Sequence, residues 1–361
     1  MHTPCSRNMK YLRPSCALFV LCTLALFLFH LTWRHLSISG QNRYTQVEVT
    51  LSNTGQIKIL QLADVQIGGL RDACKDLTPT EKQWPCDADN TTAFISRLIQ
   101  HDRPDLVVFT GDNVYGTRSD QYSQYVLKLI TKPIVSAGIP FAIVTGNHDV
   151  ELPWMSVTAL HDFMRKERAS GGGGALISGN GLIKVNSIDN HTQLHIWLFE
   201  YMHSSCVFCY NGAGHGSYHS ITKEQIEFFQ RNSQMDILSL AFTHVPVPEY
   251  HQITQQLGSQ HDTITDSGSS ELYTALLHKQ VPVLSVGHDH TNDFCGQFND
   301  GIYLCYAGGA GYTTYGKVGW SRRARMFVVN DNMIRTYKRL DDHNFSRIHD
   351  QHLYGRFFLE I

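Results

Sequence analysis

Five apolar runs in this chain end, one after another, on side chains that bind cations or move protons. Run 57–63 stops at Asp64-Val65-Gln66, run 105–110 at Gly111-Asp112-Asn113, and run 141–145 at Gly146-Asn147-His148-Asp149. Run 237–243 stops at His244, and run 281–286 at Gly287-His288-Asp289-His290. Each is short and apolar, the pattern of a strand buried on both faces. A sixth run, 194–199, has the same character. Between the runs lie amphipathic segments: Phe94, Ile95, Leu98 and Ile99 form one helical face, and Thr222 and Gln225 have capping-box spacing ahead of Ile226 and Phe229. This alternation predicts an α/β fold. In open α/β sheets ligands bind beyond the carboxyl ends of the strands, so groups far apart in the chain converge there.

Singly, these signals are ordinary. An Asp or Gly-Asp at a strand end is usually a turn, and a lone His there usually satisfies a hydrogen bond. Together they carry carboxylate, amide and imidazole, the donor set of a divalent-metal centre. A two-metal hydrolytic centre needs one anionic ligand shared by both ions and further ligands on each. We assign Asp112 to the bridge, Asp64, Gln66 and His290 to one ion, and Asn147, His244 and His288 to the other. His148, next to a ligand, is assigned to the substrate side, where it stabilises a transferred phosphoryl oxygen or protonates the leaving group; Asp149 is assigned to orient its ring.

With these residues in this order the chain resembles the calcineurin-like metallophosphoesterases, over about residues 55–340. Within them it is most similar to the purple-acid-phosphatase-like subgroup of plants and fungi. That closer likeness rests on Phe109-Thr-Gly-Asp-Asn113, Thr243-His-Val-Pro-Val-Pro-Glu249, Gly287-His-Asp-His-Thr-Asn-Asp-Phe-Cys-Gly296 and Gly319-Trp-Ser-Arg-Arg-Ala-Arg325. The resemblance implies a four-layer αββα sandwich, two divalent ions (manganese, zinc or iron), and hydrolysis of phosphate esters by a metal-bridging hydroxide. One position departs: the family's first-motif His is Gln66 here. Its carbonyl oxygen is a harder ligand, suited to manganese or magnesium, and diphosphatases of the manganese-dependent ADP-ribose type look similar there. Tyr115 stands three residues after Asp112, the spacing at which purple acid phosphatases bind iron(III) through tyrosinate; the alternative is an ordinary packed aromatic.

The N-terminus is read separately. Residues 14–33 carry no formal charge and are dense in Leu and Phe. At ~1.5 Å rise per residue they cover ~30 Å of hydrocarbon. Arg7, Lys10 and Arg13 precede the segment and Arg34 follows it, which places a cytosolic tail at 1–13, a signal anchor at 14–33, a stem at 34–54, the catalytic domain at 55–340 and a C-terminal extension at 341–361. The expected product is a single-pass type II membrane protein with a lumenal or extracellular catalytic domain; cleavage after Ser39, giving a secreted protein, is the alternative. Cys74, Cys86, Cys206, Cys209, Cys295 and Cys305 form an even set suited to that compartment, and the short loops 74/86 and 295/305 are the first pairings to expect. Sequons begin at Asn90, Asn190 and Asn344; Asn90 also sits where a helix starting at Thr91 wants an N-cap.

A formal charge of −2 gives no field for nucleic acid, so none is expected as a partner. Cys206-x-x-Cys209 with His215 and His219 reads as disulfide chemistry ahead of structural zinc, and His203, His215 and His219 are either substrate contacts or surface residues. Arg322, Arg323 and Arg325 read as a phosphate-binding patch or as the solvent face of a strand. Three functions compete. The first is a membrane-tethered, lumen-facing phosphatase acting on phosphoproteins or small phosphoesters. The second is a manganese-dependent nucleotide diphosphate or phosphodiester hydrolase. The third is a non-catalytic scaffold of the same fold.

Overall fold

A computed structural model of the chain describes residues 44–355 apart from 51–54, 70, 80–81, 83–84, 116–119, 151–156, 170–173, 187–191, 201–220, 300 and 331–332. The expected signal anchor, the Asn190 sequon and the Cys206, Cys209, His203, His215 and His219 cluster lie outside the described residues. Among those described, no helix is long and apolar enough to cross a membrane.

In chain order the first elements are β1 (Thr45–Thr50), β2 (Gln56–Leu62), α1 (Ala88–Asp102), β3 (Leu106–Thr110), α2 (Asp120–Ser136), β4 (Phe141–Val144), α3 (Val157–Ala169) and β5 (Ala175–Ser178). Then come β6 (Gly181–Asn186), β7 (Thr192–Leu198), α4 (Lys223–Asn232), β8 (Ser239–Phe242), β9 (Gln256–Leu257), α5 (Glu271–His278) and β10 (Val283–Val286). The chain closes with β11 (Cys295–Gln297), β12 (Tyr303–Tyr306), β13 (Arg323–Asn330), β14 (Met333–Leu340) and β15 (Arg347–Tyr354). All six expected strands are present.

The strands form two sheets, ordered β1-β6-β7-β8-β10-β12-β11-β9 and β15-β14-β13-β2-β3-β4-β5. Because successive side chains point to opposite faces, each sheet buries two layers. Ile57, Ile59, Leu106 and Val108 face inward and meet Leu194, Ile196, Leu240 and Val283 of the other sheet. Leu60, Leu62, Val107 and Phe109 face outward and pack with Phe94, Leu98, Val126 and Ile130 of α1 and α2. On the far side Trp197, Leu284 and Leu304 pack with Phe229 of α4 and Leu272 and Leu276 of α5. Three cores between four layers make the αββα sandwich that the resemblance implied. Each fully buried Leu, Ile or Phe contributes ~1.5–3 kcal/mol, so the cores supply the main driving force.

The folded unit is wider than 55–340. Strand β1, within the expected stem, pairs with β6, and β15, within the expected C-terminal extension, pairs with β14. Cys74–Cys86 and Cys295–Cys305 are both bonded, the second across the β11/β12 ladder. Helix α4 has the expected Thr222/Gln225 capping box. For α1 the cap is Asp87, and Asn90 is the third helical residue, its side chain accepting from Asp87 N at 3.1 Å.

The arginine stretch is neither a phosphate patch nor a solvent face. Arg325 is buried and donates to Tyr306 O at 2.8 Å and Asp293 O at 2.7 Å. Arg323 and Lys338 both reach the Asp293 carboxylate, at 2.5 and 3.0 Å. Asp293 leads into β11 of one sheet while its cationic partners sit on β13 and β14 of the other, so a buried ion cluster clamps the two sheets together.

Candidate metal centre

Strands β2, β3 and β4 run parallel in one sheet, as do β8 and β10 in the other. Their carboxyl ends therefore deliver Asp64, Asp112, Asn147, His244 and His288 to one place. Gln61 ties the sheets directly beneath, donating to Val286 O at 3.2 Å and accepting from the Ser285 hydroxyl at 2.6 Å. The backbone there is forced into the left-handed region at four non-glycine residues, Asp64 (φ 54°), Gln66 (39°), Asp112 (52°) and His288 (77°), a concentration of strain typical of functional sites. Two glycines make room. A Cβ on Gly111 would lie 2.4 Å from His244 Nδ1, and one on Gly146 would lie 2.2 Å from Asp112 Oδ1.

The ligand atoms converge as two groups that share Asp112: Asp112, His244 and His288 in one, and Asp64, Asp112 and His290 in the other, with the donor atoms of each within 4.8 Å of one another. His244 is buried, and its Nδ1 lies 2.9 Å from Thr110 O, which only accepts. Nδ1 therefore carries the proton and Nε2 points into the centre. Around Nε2 stand Asn147 Oδ1 at 3.1 Å, His288 Nδ1 at 3.2 Å and Asp112 Oδ1 at 3.3 Å. His290 is held in the same manner: Nδ1 lies 3.0 Å from Tyr315 O, and Nε2 lies 3.6 Å from Asp64 Oδ1. The second Asp64 oxygen is buried with no hydrogen-bond partner among the described residues. A cluster of lone pairs facing inward, with a buried carboxylate oxygen left over, fits a pair of divalent cations.

Electrostatics agree with that fit. Burial drives the Asp64 carboxyl well above its usual range, with nearby His244 opposing. Burial alone would raise Asp112 too, but the charge and hydrogen bond of His244 outweigh it and hold this carboxyl well below its usual range. The converse holds for His244, where burial is overcome by Asp112 and the imidazole is raised to about 9, so at pH 7 Nε2 keeps a proton in the position a cation would take and must lose it to ligate. Burial lowers His288 to about 3, with help from the His244 charge, and lowers His290 to about 4. Both are therefore neutral at pH 7, the form that ligates metal.

Two assignments change. Gln66 lies beside the centre, but its NH2 donates to Asp112 Oδ2 at 2.7 Å while its carbonyl oxygen accepts from the Thr314 hydroxyl. In this arrangement it steadies the Asp112 carboxylate, with its own carbonyl oxygen turned to Thr314. Asp149 does not orient the His148 ring as expected. Its oxygens accept from Asn113 N at 2.8 Å, Val114 N at 2.9 Å, Gly146 N at 2.9 Å and the Asn113 amide at 3.0 Å. It straps the loop after β3 to the loop after β4. Leaving several buried donors unpaired costs ~1–3 kcal/mol each, so Asp149→Ala is expected to lose at least about 3 kcal/mol of folding free energy. Urea denaturation measures it; an unchanged midpoint would contradict the strap.

His148 donates its backbone N–H to Asp112 Oδ1 at 2.9 Å, its Nε2 stands 3.9 Å from Asp112 Oδ2, and its side chain remains 28% exposed. The Tyr115 ring meets it edge-on at 4.9 Å and is 43% exposed, as an ordinary aromatic at the rim would be. Thr314 and Tyr315, which hold Gln66 and His290, were not found by sequence reasoning: their loop has no periodicity or motif to signal them. A separate groove of about 430 Å³, lined by Lys58, Arg335, Tyr337, Arg339 and Arg347 among others, shares no residue with the centre.

Residues 57–292 match the family model for calcineurin-like phosphoesterases, and the chain belongs to that family. Its relatives there are purple-acid-phosphatase-like proteins of plants and fungi. It is 31% identical over 354 residues to probable inactive purple acid phosphatase 28 of Arabidopsis thaliana, across 86% of this chain and 87% of that one. It is 32% identical over 326 residues to phosphatase DCR2 of Saccharomyces cerevisiae, across 80% of this chain but 54% of that protein, so it spans about half of that relative. The solved structure of a dimetal phosphatase from Danio rerio superimposes with a TM-score of 0.56 at 13% identity, covering 82% of this chain and 98% of that one, which shows the shared fold.

Proposed function

We propose that this protein is a dinuclear-metal phosphatase hydrolysing phosphomonoesters. Asp112 would be shared by two ions, with Asp64 and His290 available to hold one and Asn147, His244 and His288 available to hold the other. The observation that carries this reading is the ring of lone pairs around His244 Nε2, all within 3.3 Å, which a divalent cation satisfies. Two bound ions would polarise a phosphoryl oxygen and acidify a water for attack. The chain's own residues do the rest. Thr110 O and Tyr315 O fix the tautomers of His244 and His290, Gln66 steadies Asp112, and His148, partly open to solvent, donates to a phosphoryl oxygen or to the departing alkoxide. The signal anchor at 14–33 would tether this activity to a membrane, facing the lumen or cell exterior.

Two observations favour other readings. Gln66 in place of an imidazole favours a manganese-dependent diphosphate hydrolase, and the word inactive in the name of a 31% identical relative favours a scaffold. The test is one panel: p-nitrophenyl phosphate, a nitrophenyl diester and ADP-ribose, each with manganese, zinc or iron. The proposal expects turnover of the monoester above both others. Preference for ADP-ribose selects the diphosphate reading, and no turnover with both ions bound selects the scaffold.

A further inference from the structure

We infer that Arg322 is a positioning residue for the ion held by Asp64 and His290, acting through the loop that fixes the His290 ring. The inference rests on the two-ion reading. Arg322 is buried at the end of the loop leading into β13. Its guanidinium donates to three backbone carbonyls, those of Tyr315, Thr314 and Lys75, each at 3.0 Å. Two of these belong to residues that touch the centre. Tyr315 O is also the acceptor that faces His290 Nδ1, so its two lone pairs serve the arginine and the ligand together. The Tyr315 ring stacks on His290 at 3.8 Å, and its hydroxyl accepts from His290 N at 3.2 Å while donating to Asp262 at 3.1 Å. Thr314 donates its hydroxyl to Gln66, which in turn holds the bridging Asp112.

The third carbonyl, Lys75, follows Cys74, whose disulfide to Cys86 anchors that turn. Lys75 N donates to Tyr312 O at 3.0 Å and Gly316 N donates to Asp76 at 2.9 Å, so the turn and the loop are laced together with Arg322 at the crossing. A planar guanidinium meets three carbonyls arranged around it; an ammonium, a compact point charge, does not reproduce that fork. Gly316 is part of the device, because a Cβ there would lie 2.4 Å from an Arg322 terminal nitrogen. The branch through Tyr315 ends directly on His290, whereas only the longer branch through Thr314 and Gln66 reaches the shared Asp112, so the larger consequence falls on the ion held by Asp64 and His290. Losing a partner that orients a ligating imidazole typically weakens metal binding ~10–100-fold.

The test titrates manganese into the metal-stripped full chain by calorimetry, with elemental analysis of the product. Wild type should bind two ions. Arg322→Met should bind one with wild-type affinity and the other about 10–100-fold more weakly, with Arg322→Lys in between. Gly316→Ala, which displaces the guanidinium without removing it, should do the same and decides the matter if Arg322→Met does not fold. Adding His288→Ala to either variant should leave no tight ion, which identifies the weakened position. Two tight ions in a folded Arg322→Met or Gly316→Ala protein would overturn the inference, as would equal weakening of both ions. A wild-type chain that binds fewer than two ions overturns the two-ion reading itself, and the inference with it.

Discussion

Asp112→Asn should strip both metal positions and abolish phosphatase activity. This carboxylate belongs to both groups of ligand atoms, and each of its oxygens is already oriented, Oδ1 by His148 N and Oδ2 by Gln66. Two divalent ions about 4 Å apart repel by roughly 17 kcal/mol at an effective dielectric of 20, four times the figure for unit charges. Only an anion between them offsets that repulsion, and a neutral amide of the same shape does not. Because Asn is nearly isosteric, circular dichroism should show a folded chain while elemental analysis shows the metal gone. Two ions per chain with wild-type turnover would contradict the bridging role.

His148→Ala should behave in the opposite way, keeping both ions while turnover falls by roughly 10²–10⁴-fold, the range for general acid–base and electrostatic groups. The backbone N–H of residue 148, which orients Asp112, survives the substitution, so the carboxylate stays in place. What disappears is an imidazole 3.9 Å from the bridging carboxylate and open to solvent on the side lined by Tyr115. Metal analysis beside single-turnover kinetics separates the roles. A parallel fall in metal content would make His148 a ligand.

The sequence was most legible where a buried strand meets a polar residue. Runs buried on both faces are apolar throughout, so their ends stand out, and parallel pairing brings those ends together. Edge strands do not announce themselves in this way. β1 alternates exposed and half-buried residues, and β15 is mostly polar, so in the sequence both read as flanking segments. The role of Asp149 is not legible in the sequence because adjacency says nothing of direction: the short turn at His148–Val150 sends neighbouring side chains to different sides, one to the rim and one to the backbone of two loops. The burial of Arg322, Arg323 and Arg325 is hidden from the sequence for a related reason. Alternating charge usually marks a wetted face, but here their partners, Lys75 O and Asp293, come from distant parts of the chain. Gln66 is expected from its spacing to be a metal ligand, but the orientation of its amide depends on Thr314, which no local pattern reveals.

The central claim, a pair of ions bridged by Asp112, is tested most directly by anomalous diffraction at the manganese edge from crystals of the protein grown with manganese. Two peaks should appear ~3.5–4 Å apart with the Asp112 carboxylate between them, Asp64 and His290 on one, and Asn147, His244 and His288 on the other. A single peak, or two peaks that do not share Asp112, would contradict it.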